Sequence, residues 1–159
     1  LYTYRVLNLE VESDVDLLLN FAQSVVFEMS ERTDMMKHVA KYIFRKYLAY
    51  GIFEGGLVGY CVIKNPTTHP ETTTLIAPEF RGNGLSVQIR NYAINHAIEN
   101  NCLTGNTIYS ACHVSNTASL RSLLRSGYKV LRLTEYDNHI HLEYRTKPTN
   151  NIEESTHGA

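Results

Sequence analysis

The sequence predicts one α/β domain of the α+β type, with about seven strands and four helices in the order β-α-α-β-β-β-α-β-α-β-β. Three observations carry this expectation. The chain has 159 residues and is 43% hydrophobic, enough for a single domain with its own core. Short β-branched and aromatic runs recur between Gly, Pro and Asn punctuation. Longer runs between them carry apolar residues at helical spacing.

Residues 2–9 alternate as a first strand. Ser13, Asp14 and Asp16 then supply N-cap candidates and early negative charge for a helix. Its apolar stripe is Val15, Leu18, Leu19, Ala22, Val25 and Val26. After a polar break, Met36, Val39, Ala40, Ile43, Phe44 and Tyr47 predict a second amphipathic helix. The β-rich runs 50–54 and 57–64, joined by Gly55-Gly56, read as a hairpin with a primed turn. Residues 71–77 form a fourth strand, which Pro78 ends because proline cannot donate to a ladder.

Arg81-Gly82-Asn83-Gly84 follows as a tight turn, and Leu85, Ile89, Tyr92, Ala93, His96 and Ala97 stripe a long helix. Residues 107–114 are a fifth strand. Residues 116–126 are a short helix with Leu120, Leu123 and Leu124 inward and Gly127 just past its end. Residues 128–133 and 139–145 are the last two strands, turning at Asp137-Asn138. From Thr146 the composition is that of a disordered tail, so the expected division is a domain over 1–145 and a tail over 146–159.

A strand, a Gly-rich turn and a helix start make an anion site, because the first helical N–H groups lack partners within the helix. Neither common phosphate loop fits. No Gly-Lys-Ser/Thr follows, and the third glycine of a dinucleotide fingerprint would fall at Val87. The pattern Arg81-x-x-Gly84-x-Ser86 instead resembles the Gln/Arg-x-x-Gly-x-Gly/Ala signature of the GNAT family of N-acetyltransferases. Pro78-Glu79-Phe80-Arg81-Gly82 resembles the lead-in common there. Asn116-x-x-Ser119, with Gly127-Tyr128 following, resembles the family's Asn-x-x-Ala…Gly-Phe/Tyr segment. The element order resembles the family's over nearly the whole ordered chain.

The resemblance implies the GNAT acyl-CoA N-acyltransferase fold, a central, mostly antiparallel twisted sheet with helices on both faces. It implies transfer of an acetyl group from acetyl-CoA to a primary amine by direct attack in a ternary complex, with no metal. The donor would be held by the backbone of Ile76 and Ala77, by Arg81, Gly82, Asn83, Gly84, Leu85 and Ser86 around its diphosphate, and by Asn116. Glu71, early in the fourth strand, is the first candidate for the base. His113 is the second, since imidazole titrates near neutral pH.

One departure stands out. Many relatives carry a tyrosine acid seven residues after the asparagine, and here that position is Leu123. Ser119, Ser122 and Tyr128 are the nearby hydroxyls, and Tyr128 is entered as a proton-donor candidate. The departure keeps a second reading open, a non-catalytic acyl-CoA-binding or interaction module on the same scaffold. His139 and His141 share a strand face and, with His113, raise a metal site that polar decoration explains more simply.

The acceptor is expected to be a small-molecule or peptide amine, and Glu10, Glu12, Asp14, Asp16, Glu28, Glu31 and Asp34 suggest a cationic one. A formal charge of −1 gives no bulk attraction to nucleic acid or anionic membrane. No run of about 18 apolar residues suits a membrane span. No secretory signal is visible, and three cysteines without C-x-x-C spacing fit reduced thiols, so a cytoplasmic location is expected. The family's habit of pairing leaves a homodimer open.

Overall fold

The computed structural model describes residues 1–25 and 46–146. All of the predicted second helix except its end at Tyr47, which lies just before β2, and all but the first residue of the tail lie outside the described residues. The elements are β1 (Thr3–Leu7), α1 (Glu12–Val25), β2 (Leu48–Glu54), β3 (Gly56–Lys64), β4 (Glu71–Ile76), a 3₁₀ turn (Pro78–Phe80), α2 (Leu85–Glu99), β5 (Thr107–His113), α3 (Thr117–Arg125), β6 (Lys129–Thr134) and β7 (His139–Arg145).

The strands form one seven-stranded sheet in the order β1-β2-β3-β4-β5-β7-β6. Strand alternation divides the core between its faces. Tyr50, Ile52, Cys61, Ile63 and Ile76 point toward Leu85, Ile89, Ala93 and Ala97 of α2. Ala49 and Val62 point the other way, with Leu7, toward Leu18 of α1. Leu123 of α3 joins Ile94, Ile108, Cys112, Tyr128 and Leu142 in a third cluster. Helices therefore cover both faces, as the GNAT fold requires.

Two local expectations are corrected. Glu54 stands opposite Gly56 and Phe53 opposite Leu57, with a register shift between Ile52 and Phe53. The hairpin therefore tips on Gly55 alone, at φ +76°, rather than on a two-residue primed turn. Leu124 is 47% exposed while Leu123 is 2% exposed. On so short a helix, two adjacent leucines cannot both face one stripe, and the i+3 spacing from Leu120 selects Leu123.

All strand pairs are antiparallel except β4–β5, which is parallel and in register only at Glu71 and Tyr109. Tyr109 N–H reaches Pro70 O at 2.8 Å, and Ser110 Oγ donates to Thr72 O at 2.9 Å. Past these contacts the two strands separate. The gap between them positions the site.

Candidate functional site

The backbone of β4 shows what the gap presents. Ala77 N–H donates to Val58 O at 2.9 Å. Antiparallel bonding alternates every second residue, so Leu75 and Thr73 also turn their polar groups to β3. Those of Thr72, Thr74 and Ile76 turn toward β5. Thr72 still meets β5, whereas Thr74 and Ile76 face the opening. Ala77, expected beside Ile76 in the site, has its N–H committed to β3.

A cleft of about 520 Å³ occupies this opening. Its walls are Thr74, Leu75 and Ile76 of β4, the loop residues Phe80, Arg81, Gly82 and Gly84, the first turns of α2 and one face of α3 along its length. The loop glycines are there for conformational reasons. Gly82 has φ +84° and Gly84, the N-cap of α2, φ +73°, both in the left-handed region. A Cβ built on either meets nothing within 4 Å, so the space over the loop is open to a ligand. The N–H groups at the start of α2 open onto that space with the positive end of the helix dipole.

The charge of the walls is one-sided. Arg81, Arg90, Arg121 and Arg125 line the cleft and no Asp or Glu does, among the described residues. Arg121 and Arg125 stand four apart on α3, on neighbouring turns of one face. Such a cleft suits a long polyanion with an uncharged arm. The donor expected from the sequence, with its diphosphate and pantetheine, has that form.

The predicted donor residues sort as follows. Ile76, Gly82, Gly84, Leu85 and Ser86 all line the cleft. Arg81 lines it too, but its Nε folds back onto Ile76 O at 3.0 Å, so it also fastens the loop to the strand end. Asn83 turns away, with Nδ2 on Phe80 O at 3.3 Å. Asn116 caps α3 through Oδ1, which accepts from Ser119 N–H at 3.0 Å, while its residue lines the cleft. The cap consumes the oxygen and leaves the amide nitrogen for other partners.

The catalytic candidates do not come together. Glu71 starts β4, on the face opposite α2, with Tyr109 as its parallel partner and the His69 ring stacked on Tyr109 at 4.1 Å. His113 lies four residues further along β5, about 13 Å at strand rise. Its Nδ1 accepts from Ser115 N–H at 3.2 Å and pairs with Ser115 Oγ at 2.7 Å. Both contacts tie Nδ1 to the turn after β5, away from the cleft wall. Tyr128 is 2% exposed, packs in the third cluster and hydrogen-bonds Thr72 at 2.6 Å. Burial raises its pKa well above the ordinary value. It does not stand in the cleft wall.

Leu123 is itself core and is not part of the cleft wall. The hydroxyl residues that line the cleft are Thr74, Ser86, Ser119 and Ser122. His139 Nδ1 pairs with Asp137 O at 2.7 Å and His141 Nε2 with Thr134 Oγ1 at 3.0 Å, local bonds that brace the β6–β7 turn. Near α1, Asp14 pairs with Arg5 at 3.1 Å and accepts from Asn8 N–H at 2.8 Å. Its charge is thereby spent on the fold rather than on an incoming amine. The region that carries Glu28, Glu31 and Asp34 lies outside the described residues.

Arg90 was missed in the sequence. It is 3% exposed, on the buried side of α2 and in the cleft wall. The signal was present: Arg90 falls three and seven residues before Ala93 and Ala97, so a charge sits on an otherwise apolar stripe.

Comparison with known proteins gives the family and the fold. Residues 17–128 match the model of the acetyltransferase (GNAT) family. Among solved structures, the Campylobacter jejuni N-acetyltransferase PseH in complex with acetyl coenzyme A superposes with a TM-score of 0.62 at 15% identity, over 92% of this chain and 100% of that one. A variant of the spermidine N-acetyltransferase SpeG from Vibrio cholerae gives 0.71 at 16% identity, over 97% and 98%. The PaiA N-acetyltransferase from Thermoplasma acidophilum in complex with coenzyme A gives 0.68 at 14%, over 91% and 99%. No curated protein matches the chain in sequence.

Proposed function

The chain belongs to the acetyltransferase (GNAT) family, and from that premise we propose that it transfers an acetyl group from acetyl-CoA to a primary amine within a ternary complex. The observation that carries the reading is the opening between β4 and β5. It offers the strand polar groups of Thr74 and Ile76, leads into a glycine loop at a helix N-terminus, and is flanked, among the described residues, by four arginines without a carboxylate.

In this reading the backbone of β4 holds the pantetheine arm as an added strand would be held. The amides of Gly82 to Ser86 hold the diphosphate, and Asn116 faces the arm from α3. The donor supplies an activated thioester. An alkyl amine has a pKa near ~10.4, so the protein must take up a proton before the amine can attack. Glu71 is the carboxylate on the acceptor face and serves as that base, directly or through water. The remaining acceleration comes from holding donor and amine together.

A cationic acceptor is part of this proposal. The structural neighbour from Vibrio cholerae is named for spermidine. Glu10, Glu12 and Asp16 remain exposed near α1. Cys61, Cys102 and Cys112 are all unpaired, which supports a reducing, cytoplasmic setting.

One observation favours a second reading. Leu123 lies in the core, so the cleft lacks the hydroxyl acid of many relatives, and the scaffold would then bind acyl-CoA without turning it over. Thiol release from acetyl-CoA with a panel of polyamines, amino-acid amines and peptide amines separates the two. Amine-dependent release supports the transferase; tight donor binding with no release for any amine supports the binding module.

A further inference from the structure

Arg90 is the only charged residue that is fully buried among the described residues. A buried guanidinium ordinarily meets a carboxylate, because desolvation opposes the charge. Here none of the ion pairs among the described residues involves Arg90. Its Nη1 donates to Ser126 Oγ at 2.6 Å, Ser122 Oγ at 3.1 Å and Ser122 O at 3.3 Å. Its Nε is buried with no partner, and burial lowers its pKa. The charge is met by two hydroxyls, one carbonyl and the face of the Tyr128 ring at 5.9 Å, and by no carboxylate among the described residues.

The hydroxyl chain leads outward. Ser122 Oγ, which accepts from Arg90, lies 2.6 Å from Ser86 Oγ. Ser86 is the second residue of α2 and lines the cleft at the loop. Side chains on a helix lean toward its N-terminus, so the Arg90 guanidinium covers the turn that carries Ser86. Ser122 Oγ accepts from Arg90 and shares a hydrogen with Ser86 Oγ; in the orientation where Ser122 donates, the Ser86 O–H is left to point into the cleft. Aligned donors of this kind polarise one another.

Resting on the acetyl-CoA reading of the cleft, we propose that Arg90 is a positioning residue for the donor diphosphate, passing its charge through Ser122 to a Ser86 hydroxyl that donates to a phosphate oxygen. The arginine is then a charge kept for an anionic ligand. Its countercharge arrives with the donor.

The variants separate this role from a structural one. In Arg90→Met, Ser126 Oγ still donates to Ser122 O at 3.0 Å and Ser122 still bonds Ser86, so no serine loses its last partner. The thermal midpoint should stay level or rise. Coenzyme A affinity, by calorimetry on the full chain, should fall about tenfold or more, the range for a charge-assisted hydrogen bond. Ser122→Ala and Ser86→Ala, which keep Arg90, should each weaken coenzyme A several-fold. S-acetyl-pantetheine, which lacks the diphosphate, is the control donor, and Arg90→Met should cost its kcat/KM far less than it costs that of acetyl-CoA. Undiminished coenzyme A affinity in Arg90→Met, or an equal loss with S-acetyl-pantetheine, overturns the proposal while the transferase reading stands. Failure of the unaltered protein to bind coenzyme A at all overturns both.

Discussion

The Thr72 hydroxyl and the Tyr128 phenol lie 2.6 Å apart in the core, joining β4 to the start of β6 where β4 and β5 begin to separate. Ser110 Oγ holds Thr72 O at the same level. This small polar knot is the hinge line of the cleft. Above it the sheet is open; below it the sheet is closed.

Tyr128→Phe leaves a buried Thr72 hydroxyl without its partner, which costs about 1–3 kcal/mol. Chemical denaturation should show that loss. Adding Thr72→Val should recover most of it, because both polar groups are then gone. The pH profile of amine acetylation should not move in Tyr128→Phe. A lost alkaline limb would restore Tyr128 as the acid.

Gly84→Ala places a Cβ at φ +73°, a conformation costing roughly 1–2 kcal/mol for an alanine. The α2 start should shift to relieve it, and coenzyme A affinity should drop several-fold with the fold retained by circular dichroism. Gly84→Glu adds a carboxylate to a cleft lined by arginines and should abolish binding. Unchanged affinity in Gly84→Glu would remove the loop from the donor site.

Glu71→Gln should leave coenzyme A affinity intact and reduce kcat by about 10²-fold or more, the span for a lost general base. His113→Gln should change kcat little, since the lone pair on Nδ1 is engaged by Ser115. The reverse pattern would exchange the two roles.

The element order along the chain and the glycine loop were legible because their signals are local. Gly82 and Gly84 take left-handed φ values that few other residues accept, and Pro78 ends β4 by lacking a donor. The strand separation was not legible, since it depends on how β4 and β5 diverge in space after Glu71 and Tyr109. The Gly55 tip was misread because a bulge at Ile52–Phe53, invisible in the pattern, changed the register. Arg90 was overlooked because the stripe was read only for apolar residues. Its role emerges when Ser86 and Ser122, 36 positions apart, meet beside it.

Cys61 offers a test of the core alone. Burial raises its thiol pKa from 9.0 to about 11, an effect the neighbouring Thr74 hydroxyl only partly offsets. Thr74 Oγ1 has no nitrogen or oxygen partner, so the Cys61 sulfur is its polar neighbour. A raised pKa in the folded state means the contribution is intact below pH 9 and is lost as pH rises from 9 to 11. At ~1.4 kcal/mol per pH unit, that is a few kcal/mol at most. Cys61→Ala should flatten the fall of stability across this window in urea titrations. An unchanged slope would mean the thiol is not ionising on unfolding there.

The measurement that bears most directly on the account is a calorimetric titration of the protein with acetyl-CoA, with ATP as the control. ATP carries phosphates but no arm to pair with Thr74 and Ile76, and two such hydrogen bonds are worth roughly tenfold in affinity. The account predicts saturable binding of acetyl-CoA at least tenfold tighter than ATP. No binding at millimolar acetyl-CoA, or equal affinity for the two, would contradict it.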